Sequence, residues 1–478
     1  MIVMKFGGTS LGTAARCIRA AEIVEGRLAE RPLVVVSAHG GVTDLLLTAA
    51  RHAAQGKTAG AVDAFRKRHQ EILEGLGLDP TLHDDEYRDL SRILDGIALI
   101  RELTPRTFDY IAAFGERCST RCLAALLRKR GHAQAEAWNA YDLGFRTDSN
   151  FQRAKPLPET YGLIQREVRK HRGKLLCVTG FLGKDADGNI TTIGRSGTDF
   201  SASIFGAALG AERIEIWKDV DGVMTADPSL IPDARNLPIL SFDEASELTY
   251  YGAQVLHPST MVPAIQKNIP IHVLNVEKPD DSGTTIVADT GPAREMVTSI
   301  TYKEDIILVT IISTRMLGAE GFLQSVFGIF GKHKIVVDML ATSEVSVSLT
   351  VDSERNLDGA VAELTQFATV KVEPEHAILC VVGQGMRERV GIAATVFNAV
   401  AESGVNLRMI SQGASEINIA FVVKNADIAP AVKGLHDAFF GKGRKATEKR
   451  LAAAAQHKAR AARTSAHAGV GQVKARKK

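Results

Sequence analysis

Short apolar runs that end in glycine-bearing turns dominate the first half of the chain. They cover residues 2–6, 33–36, 173–181 and 214–217, and helical patterns or glycine-punctuated loops follow them. Such alternation is typical of βαβ units, in which helices cover both faces of a mostly parallel sheet. The carboxyl ends of parallel strands meet at one edge, where ligands of α/β proteins bind. We therefore predict an α/β fold with an open, mostly parallel sheet in three αβα layers, and a ligand site at the glycine turns.

The first of these turns has the features of a phosphate-binding loop. Lys5 lies near the end of the run Ile2–Phe6, and Gly7, Gly8 and Thr9 lead from the run into a helical stretch. Glycines let backbone N–H groups approach an oxyanion closely, and a helix start adds partial positive charge. A glycine-rich connection with a solvated lysine explains the local string equally well. The spacing matches neither G-x-x-x-x-G-K-[ST] nor G-x-G-x-x-G, which excludes the P-loop and protein-kinase classes.

Two later turns add charged side chains to the predicted ligand site. In TTIGRSGT at 191–198 the glycines again expose backbone donors, and Arg195 and Asp199 lie beside them. Lys218 and Asp219 follow the next apolar run, Ile214–Trp217. Charges of both signs are thus expected at the edge of the sheet where the phosphate-binding turn lies.

The segment between the second and third runs is predicted to be mostly helical. Residues 50–110 are rich in alternating Arg, Glu, Leu and Ile, with a break at the Gly and Pro residues of 75–80. The string FGER at 114–117 is predicted to open a further helix that runs through Leu127. Glu116 would then lie in the first turn of that helix, where a carboxylate favours the helix dipole.

Composition restricts the class of protein. A length of 478 residues with 45 % hydrophobic residues predicts two to four folded domains. The net charge is only +3, and the tail at 441–478 holds twelve Lys and Arg against one Glu, which predicts a frayed basic helix or a disordered segment. The five cysteines are scattered and lack metal-ligand spacing. Without a signal pattern or a long apolar run, we expect a cytoplasmic protein that binds neither nucleic acid nor a membrane.

The last third of the chain contains an internal repeat. It follows a cluster of Pro, Gly and Asp at 277–296, and Gly321–Phe327 matches Gly391–Phe397 seventy residues later. Each copy predicts strand, helix, strand, strand and helix, with a last strand clear only in the first copy. Both copies are therefore predicted to be ferredoxin-like βαββαβ units. Small units of this type leave sheet edges uncovered, so we expect them to pair within the chain or between chains.

Five motifs taken together resemble the aspartokinase family. They are KFGGTS at 5–10, FGER at 114–117, TTIGRSGTDFSAS at 191–203, WKDVDGVMTADP at 217–228 and YGAQVLHP at 251–258. The repeats resemble that family's two ACT domains, and SEVSVSLTVD and MISQGASEINIAF are similar to its regulatory segments. The resemblance runs in order from residue 1 to about 440. It implies the amino-acid-kinase fold, with a catalytic domain at 1–280, a linker at 281–300, ACT domains at 301–374 and 375–440, and the basic tail.

The resemblance implies transfer of the ATP γ-phosphoryl group to the side-chain carboxylate of L-aspartate. The product, 4-phospho-L-aspartate, begins the pathway to lysine, threonine and methionine. Because a carboxylate needs no general base, catalysis reduces to in-line positioning and neutralisation of charge. Lys5 is implied to neutralise the transferred group, with Asp199 holding the lysine. For aspartate, Arg195 is implied to bind the α-carboxylate and Glu116 the ammonium group, assisted by Thr43 and Thr198.

For the nucleotide, the resemblance implies a second group of contacts besides Lys5 and the first glycine turn. These residues are Lys218, Asp219, Met224, Asp227 and Gln254. Mg²⁺ would be held mainly by phosphate oxygens and water, without a dedicated protein site. Gln254 replaces a lysine found in many members, and Lys218 stands where some have threonine. The positive charge near the ATP phosphates can therefore come from a different strand.

The first repeat is implied to bind an amino-acid effector. The implied effector residues are Met316, Gly321, Phe322, Leu323, Asp338, Ser343 and Glu344. Asp338 and Glu344 would accept hydrogen bonds from an ammonium group, and the helix start near Gly321 would donate to a carboxylate. Two acidic residues flanking a β turn explain the spacing equally well. Lysine is the first expectation and threonine the second, because Gly318 and Ala319 replace polar residues of the lysine-inhibited branch. The paired ACT domains imply a homodimer or homotetramer.

Three alternatives stay open on the sequence alone. One is a kinase of the same fold that acts on another small carboxylate or amino acid, which Glu116 and Arg195 disfavour in their motifs. Another is a non-catalytic amino-acid-binding regulator, which the intact Lys5, Arg195 and Asp199 disfavour. The third is nucleic-acid binding through the tail, for which no interleaved aromatic residues speak.

Overall fold

The computed structural model describes residues 1–58, 60–194, 196–252, 256–291, 295–316 and 320–452. The chain forms two compact units. The first contains residues 1–223, 236–245 and 255–290, and the second contains 224–235, 246–254 and the chain from residue 291 onward. Arg195 and Gln254, both predicted site residues, lie outside the described residues.

The first unit contains an eight-stranded sheet, a small hairpin and nine helices among its described residues. Its strands are β1 (Val3–Phe6), β2 (Leu33–Val36), β3 (Ala135–Trp138), β4 (Leu175–Thr179), β5 (Leu182–Lys184), β6 (Ile190–Thr192), β7 (Ile214–Lys218), β8 (Ile239–Ser241), β9 (Ile271–Asn275) and β10 (Thr284–Val287). Its helices are α1 (Ala14–Glu25), α2 (Val42–Ala54), α3 (Ala61–Leu76), α4 (Asp84–Ile100), α5 (Pro105–Lys129), α6 (Thr160–Lys170), α7 (Gly197–Leu209), the first residues of α8 (Phe242–Tyr250), and α9 (Pro258–Lys267).

The large sheet is open and mostly parallel, as predicted. Its strand order is β3-β4-β2-β1-β7-β9-β10-β8, and only the β9–β10 pair is antiparallel. Strand β1 lies centrally, pairing with β2 and β7, and all four of its residues are buried. Its Met4 and Phe6 pack in one hydrophobic cluster with α1 and α5. Because side chains alternate along a strand, Lys5 points to the opposite face, where it contacts α7.

Helix α5 begins earlier than the sequence interpretation placed it. The helix starts at Pro105, and the Thr104 side chain caps it by accepting a hydrogen bond from the Thr107 backbone N–H at 3.1 Å. The prediction that FGER opens a helix is therefore wrong. Glu116 lies near the middle of a long helix, where the dipole of a helix start cannot account for it.

The second unit consists of one six-stranded antiparallel sheet with helices. Its elements are the end of α8, β11 (Ser299–Ile312), α10 (Phe322–Lys332), β12 (Leu340–Thr342), β13 (Ser346–Val351), α11 (Leu357–Leu364), β14 (Thr369–Val382), α12 (Ile392–Glu402), β15 (Met409–Ser411), β16 (Asn418–Lys424) and α13 (Ile428–Phe440), and residues 444–452 are also helical. The strand order is β12-β13-β11-β14-β16-β15.

Two long strands are shared between the repeats. The end of β11, Ile307–Ile312, pairs with β13 and with the start of β14, which completes the first βαββαβ unit. The start of β11, Ser299–Lys303, instead pairs with the end of β14, Ile378–Val382. The second repeat therefore takes its fourth strand from residues that precede the first repeat, which explains why its last strand has no counterpart further along the sequence. Residues 281–300, predicted as a linker, include β10 and the start of β11.

No helix among the described residues is both long and apolar enough to cross a membrane.

Candidate active site

The predicted ligand edge of the sheet brings four loops together. The Gly7 N–H donates to the Trp217 carbonyl at 3.3 Å, and the Ser37 N–H donates to the Phe6 carbonyl at 3.2 Å. The Gly180 N–H donates to the Val36 carbonyl at 2.9 Å. The loops that follow β1, β2, β4 and β7 are thus hydrogen-bonded in a row, and the side chains at their starts share one edge.

Lys5, Asp199 and Lys218 form a buried charged cluster at this edge. Lys5 Nζ lies 2.6 Å from Asp199 Oδ1, and both side chains are only 7 % exposed. Lys218 Nζ lies 3.6 Å from Asp199 Oδ2 and is 19 % exposed. Lys5 comes from β1, Lys218 ends β7, and Asp199 lies in the first turn of α7. One carboxylate therefore holds two ammonium groups from neighbouring parallel strands.

The cluster carries a net positive charge at neutral pH. Burial alone would raise the pKa of Asp199, but the charges of Lys5 and Lys218 outweigh it and keep that pKa below its usual range. Burial lowers the pKa of Lys218, an effect that Asp199 partly offsets. Two cations against one anion leave an electrostatic site suited to a polyanion.

The glycine turn lies directly beside this cluster. A Cβ at Gly7 would lie 3.3 Å from Lys5 Nζ, and one at Gly8 would lie 2.9 Å from the Ala38 carbonyl oxygen. Any side chain at Gly8 would collide with the loop after β2, so glycine is required there. Thr9 is exposed and opens the short 3₁₀ turn Thr9–Leu11. The turn thus brings its backbone close to the lysine.

Glu116 is a buried carboxylate beside the loop after β2. It is 3 % exposed, and its Oε2 has no hydrogen-bond partner among the described residues. Burial raises its pKa to about 8, although a backbone hydrogen bond from Ala38 acts in the opposite direction. Helix α5 reaches this loop because Gly115 has no side chain; a Cβ there would lie 2.8 Å from Ala38 Cβ. A buried carboxylate with an unsatisfied oxygen is suited to receive a cationic group.

The hydroxyl side chains predicted to bind the substrate have different surroundings. Thr198 Oγ1 donates to Ser37 Oγ at 3.4 Å, and a Cβ at Gly180 would lie only 2.4 Å from Thr198 Cγ2. Thr43 is half-buried near the start of α2. Ser37, which also accepts a hydrogen bond from Ser119 Oγ at its carbonyl, was missed by the sequence interpretation. Its position at the end of a buried strand was the signal that could have found it.

The remaining predicted nucleotide residues are divided between the units. Asp219 is exposed directly after β7 in the first unit. Met224 and Asp227 belong to the second unit. There Asp227 accepts hydrogen bonds from Ser229 Oγ at 2.6 Å and Tyr302 Oη at 2.8 Å, and the Met224 carbonyl accepts one from Ser299 Oγ at 2.8 Å.

The predicted effector residues surround the start of the first repeat's sheet and helix. Asp338 is paired: its Oδ2 lies 2.9 Å from Lys303 Nζ, and its Oδ1 accepts a hydrogen bond from Tyr250 Oη at 3.1 Å. Neither partner was predicted. Ser343 and the exposed Glu344 lie in the turn between β12 and β13.

The other effector residues lie on the helical side of that repeat. Gly321 caps α10 in the left-handed conformation, with φ +80°. Phe322 contacts the ring of Phe367 edge-on, with 5.8 Å between centroids, whereas Leu323 is exposed. Met316 ends a short 3₁₀ turn and is half-buried.

Comparison with known proteins identifies the family. Residues 1–275 match the model of the amino acid kinase family, and residues 379–439 match that of an ACT domain. The chain is 39 % identical over 461 residues to the chloroplastic aspartokinase 2 of Arabidopsis thaliana, covering 92 % of this chain and 84 % of the relative.

Solved structures agree with this match. Escherichia coli aspartokinase III in complex with aspartate and ADP superimposes with a TM-score of 0.79 at 32 % identity, covering 92 % of this chain and 100 % of that one. The same enzyme in complex with lysine and aspartate gives a TM-score of 0.75 at 32 % identity, with coverage of 92 % and 99 %. These matches confirm the predicted amino-acid-kinase fold and ACT domains, and the chain belongs to the aspartokinase family of carboxyl-phosphorylating kinases.

Proposed function

We propose that this chain transfers the γ-phosphoryl group of MgATP to the side-chain carboxylate of L-aspartate. A carboxylate oxygen attacks the γ-phosphorus, the bond from that phosphorus to the bridging oxygen of ADP breaks, and 4-phospho-L-aspartate and ADP leave. The observation that carries the proposal is the buried cluster of Lys5, Asp199 and Lys218 beside the glycine turn. Two anions must meet for this reaction, and the cluster supplies fixed positive charge where they would meet.

Lys5 stabilises the charge of the transferred group in this proposal. It projects from a fully buried central strand, and Asp199 holds its ammonium group at 2.6 Å. A rigid cation needs little reorganisation during the reaction, which makes its electrostatic effect larger than that of a mobile surface lysine. Lys218, on the neighbouring strand, supplies the second positive charge that the sequence departures led us to expect from a different strand.

The amino-acid substrate is bound by groups of opposite charge. Glu116 accepts the α-ammonium group of aspartate, since its carboxylate is buried and its Oε2 lacks a partner among the described residues. Arg195 and Thr198 bind the α-carboxylate, and Thr43 assists. Recognition of both α-groups places the side-chain carboxylate as the nucleophile and favours an amino acid over a simple dicarboxylate.

The nucleotide contacts rest on the glycine turn and on the family resemblance. Backbone N–H groups of Gly7, Gly8 and Thr9 donate to phosphate oxygens in this proposal, beside Lys5. Asp219, Met224, Asp227 and Gln254 are assigned to the nucleotide by resemblance alone. Mg²⁺ arrives with ATP as part of the substrate and is held mainly by phosphate oxygens and water.

We further propose that an amino acid inhibits the enzyme at the first ACT repeat, with lysine first and threonine second. The complex of the E. coli enzyme with lysine supports lysine, and the Asp338 side chain, 3 % exposed, is an anion suited to an ammonium group. Lys303 already neutralises Asp338, so an effector ammonium would replace one cation with another at little electrostatic cost. The proposal includes a homo-oligomer paired through the ACT domains, cytoplasmic location, and a place in the synthesis of lysine, threonine and methionine.

A coupled assay of ADP release tests the reaction directly. With MgATP we expect turnover on L-aspartate and at most weak turnover on L-glutamate, because one extra methylene moves the nucleophile out of line. Turnover preferring glutamate or another carboxylate would show a different kinase of the same fold. Lack of any ATP turnover would favour a non-catalytic regulator. Lysine and threonine, added separately, identify the effector.

A further inference from the structure

Asp109 is a buried carboxylate that the proposed reaction does not use. It lies on α5 and is 0 % exposed. Its Oδ2 accepts the Gln152 N–H at 2.9 Å and the Thr192 N–H at 2.8 Å, and its Oδ1 accepts the Thr192 hydroxyl at 2.9 Å. Oδ1 also lies 3.1 Å from the Gln152 nitrogen. One side chain therefore satisfies two backbone amides and a hydroxyl from segments forty residues apart in sequence.

Both segments support the loop that leads to α7. Thr192 ends β6, and the Ala154 N–H donates to the Thr192 carbonyl at 3.0 Å. Gln152 has the left-handed φ of +69°, and a Cβ at Gly194 would lie 3.3 Å from the Gln152 carbonyl oxygen. The loop after β6 is thus packed against a turn whose strained conformation is held by the carboxylate of Asp109.

Helix α5 connects this support to the proposed ammonium site. Asp109 and Glu116 are seven residues apart, so they lie two turns apart on the same face of one helix. The loop supported by Asp109 carries Arg195 by sequence and leads to Thr198. The groups assigned to the two ends of the amino acid are therefore referenced to a single rigid element.

Resting on the proposed function, we infer that Asp109 is a positioning residue for aspartate binding. It sets the loop that carries the α-carboxylate ligands at a fixed distance from Glu116. It does not touch the substrate. Loss of its acceptors leaves two buried N–H groups without partners, and the loop must move to satisfy them.

The hydrogen-bond pattern predicts which substitutions are tolerated. In Asp109→Asn, the amide oxygen can replace Oδ2 and accept both N–H groups, while the amide nitrogen donates to the Thr192 hydroxyl, which is also an acceptor. Asp109→Leu has a similar shape but accepts nothing. Removing the hydroxyl in an Asp109→Asn/Thr192→Val double variant leaves the amide nitrogen without its acceptor.

A matched control is available in the same unit. Glu215 on β7 is 1 % exposed and accepts hydrogen bonds from Arg213 Nε at 2.9 Å and Trp217 Nε1 at 3.1 Å. It is as buried and as well bonded as Asp109, but it belongs to a different region of the sheet. Glu215→Leu therefore measures what the loss of a buried carboxylate does to the unit in general.

The experiment compares KM for aspartate with KM for MgATP in these variants. Asp109→Leu is expected to raise KM for aspartate at least about tenfold, with KM for MgATP changed less than about threefold. Asp109→Asn should stay near the wild type, and the double variant should lose aspartate affinity even if Asp109→Leu does not fold. Equal changes in both KM values, or a matching effect of Glu215→Leu, would overturn the positioning role.

Hydrogen exchange of the peptide 190–198 gives a second readout that does not depend on the substrate. Asp109→Leu and the double variant should exchange faster there, and Asp109→Asn and Glu215→Leu should not. Unchanged exchange in both disrupting variants would overturn the inference. Wild-type protein that fails to phosphorylate aspartate would instead refute the proposed function, so the two failures are distinguishable.

Discussion

Three buried histidines make the first unit sensitive to acid. His39 precedes α2, His69 lies on α3 and His83 caps α4, and each is at most 2 % exposed. The rings of His39 and His69, and of His69 and His83, lie 5.5 Å apart. His39 Nδ1 bonds the Leu11 carbonyl at 2.7 Å, whereas neither ring nitrogen of His83 has a partner among the described residues. The three rings fit together only while they are neutral.

The pKa values give the size of this effect. Burial lowers the pKa of His39 and His83 to about 3 and that of His69 to about 4, from 6.5, and the neighbouring His and Arg charges act in the same direction. Below pH 6.5 the unfolded chain therefore binds more protons than the folded unit, so stability falls as the pH falls from 6.5 toward 4. At pH 5.0 the loss is about 2 kcal/mol for each histidine and about 6 kcal/mol for all three.

Replacing His83 isolates one third of the effect. His83→Leu removes two unpartnered buried nitrogens, so the stability at pH 7.5 should be unchanged or about 1 kcal/mol higher. Between pH 7.5 and 5.0 this variant should lose about 2 kcal/mol less stability than the wild type. His52, exposed on α2, is the control, and His52→Leu should keep the wild-type pH dependence.

Urea unfolding at the two pH values measures the difference. Trp138 and Trp217 are the only tryptophans, and they lie in β3 and β7, so their fluorescence reports the first unit. If wild type and His83→Leu lose the same stability on acidification, His83 is not a neutral buried group in the folded protein. A shift shared by His52→Leu would show that the effect is not specific to the cluster.

The remaining predictions concern the proposed sites. Lys5→Met should lower kcat at least about 10²-fold in the ADP-release assay, because it removes a preorganised charge, and a near-normal kcat would refute the assignment of Lys5. Since the Glu116 carboxyl, with a pKa of about 8, must ionise to accept an ammonium group, KM for aspartate should fall as the pH rises from 6.5 to 8.5. Glu116→Gln should raise that KM and abolish its pH dependence, and a variant that keeps the dependence would exclude Glu116. Asp338→Ala should raise the inhibition constant for the effector at least about tenfold, whereas Asp352→Ala, at a half-exposed carboxylate 3.6 Å from Lys303, should not; equal effects would remove Asp338 from the site.

Much of the catalytic edge could be predicted because parallel topology determines it. Lys5 near the end of β1 and Asp199 at the start of α7 had to meet once the strands were placed side by side, and the structure brings them to 2.6 Å. The start of α5 was wrong because the signal lay upstream, in a threonine cap followed by proline, rather than in FGER itself. The roles of the individual site residues stay predictions.

Other features lay beyond sequence patterns because their partners are distant in the chain. Nothing near Asp109 announces that it accepts from residues 152 and 192, and no local pattern pairs Tyr250 with Asp338. The segment 224–235 reads as part of the catalytic domain, yet the Ile300 N–H donates to the Thr225 carbonyl at 2.9 Å and joins it to the second unit. Tertiary hydrogen bonds of this kind are specified only once the fold exists.

The exchange of strands between β11 and β14 affects how the regulatory half of the chain is made. Residues 299–303 leave the ribosome about seventy-five residues before their partners at 378–382, so the strand must wait without its neighbour while the whole first repeat is synthesised. The second repeat, cut out as a contiguous piece from residue 375, would expose the edge of β14 and invite aggregation. The two repeats can therefore be gained, lost or exchanged during evolution only as a pair, and a gene rearranged to attach 299–303 after residue 440 should yield the second repeat as an independent module.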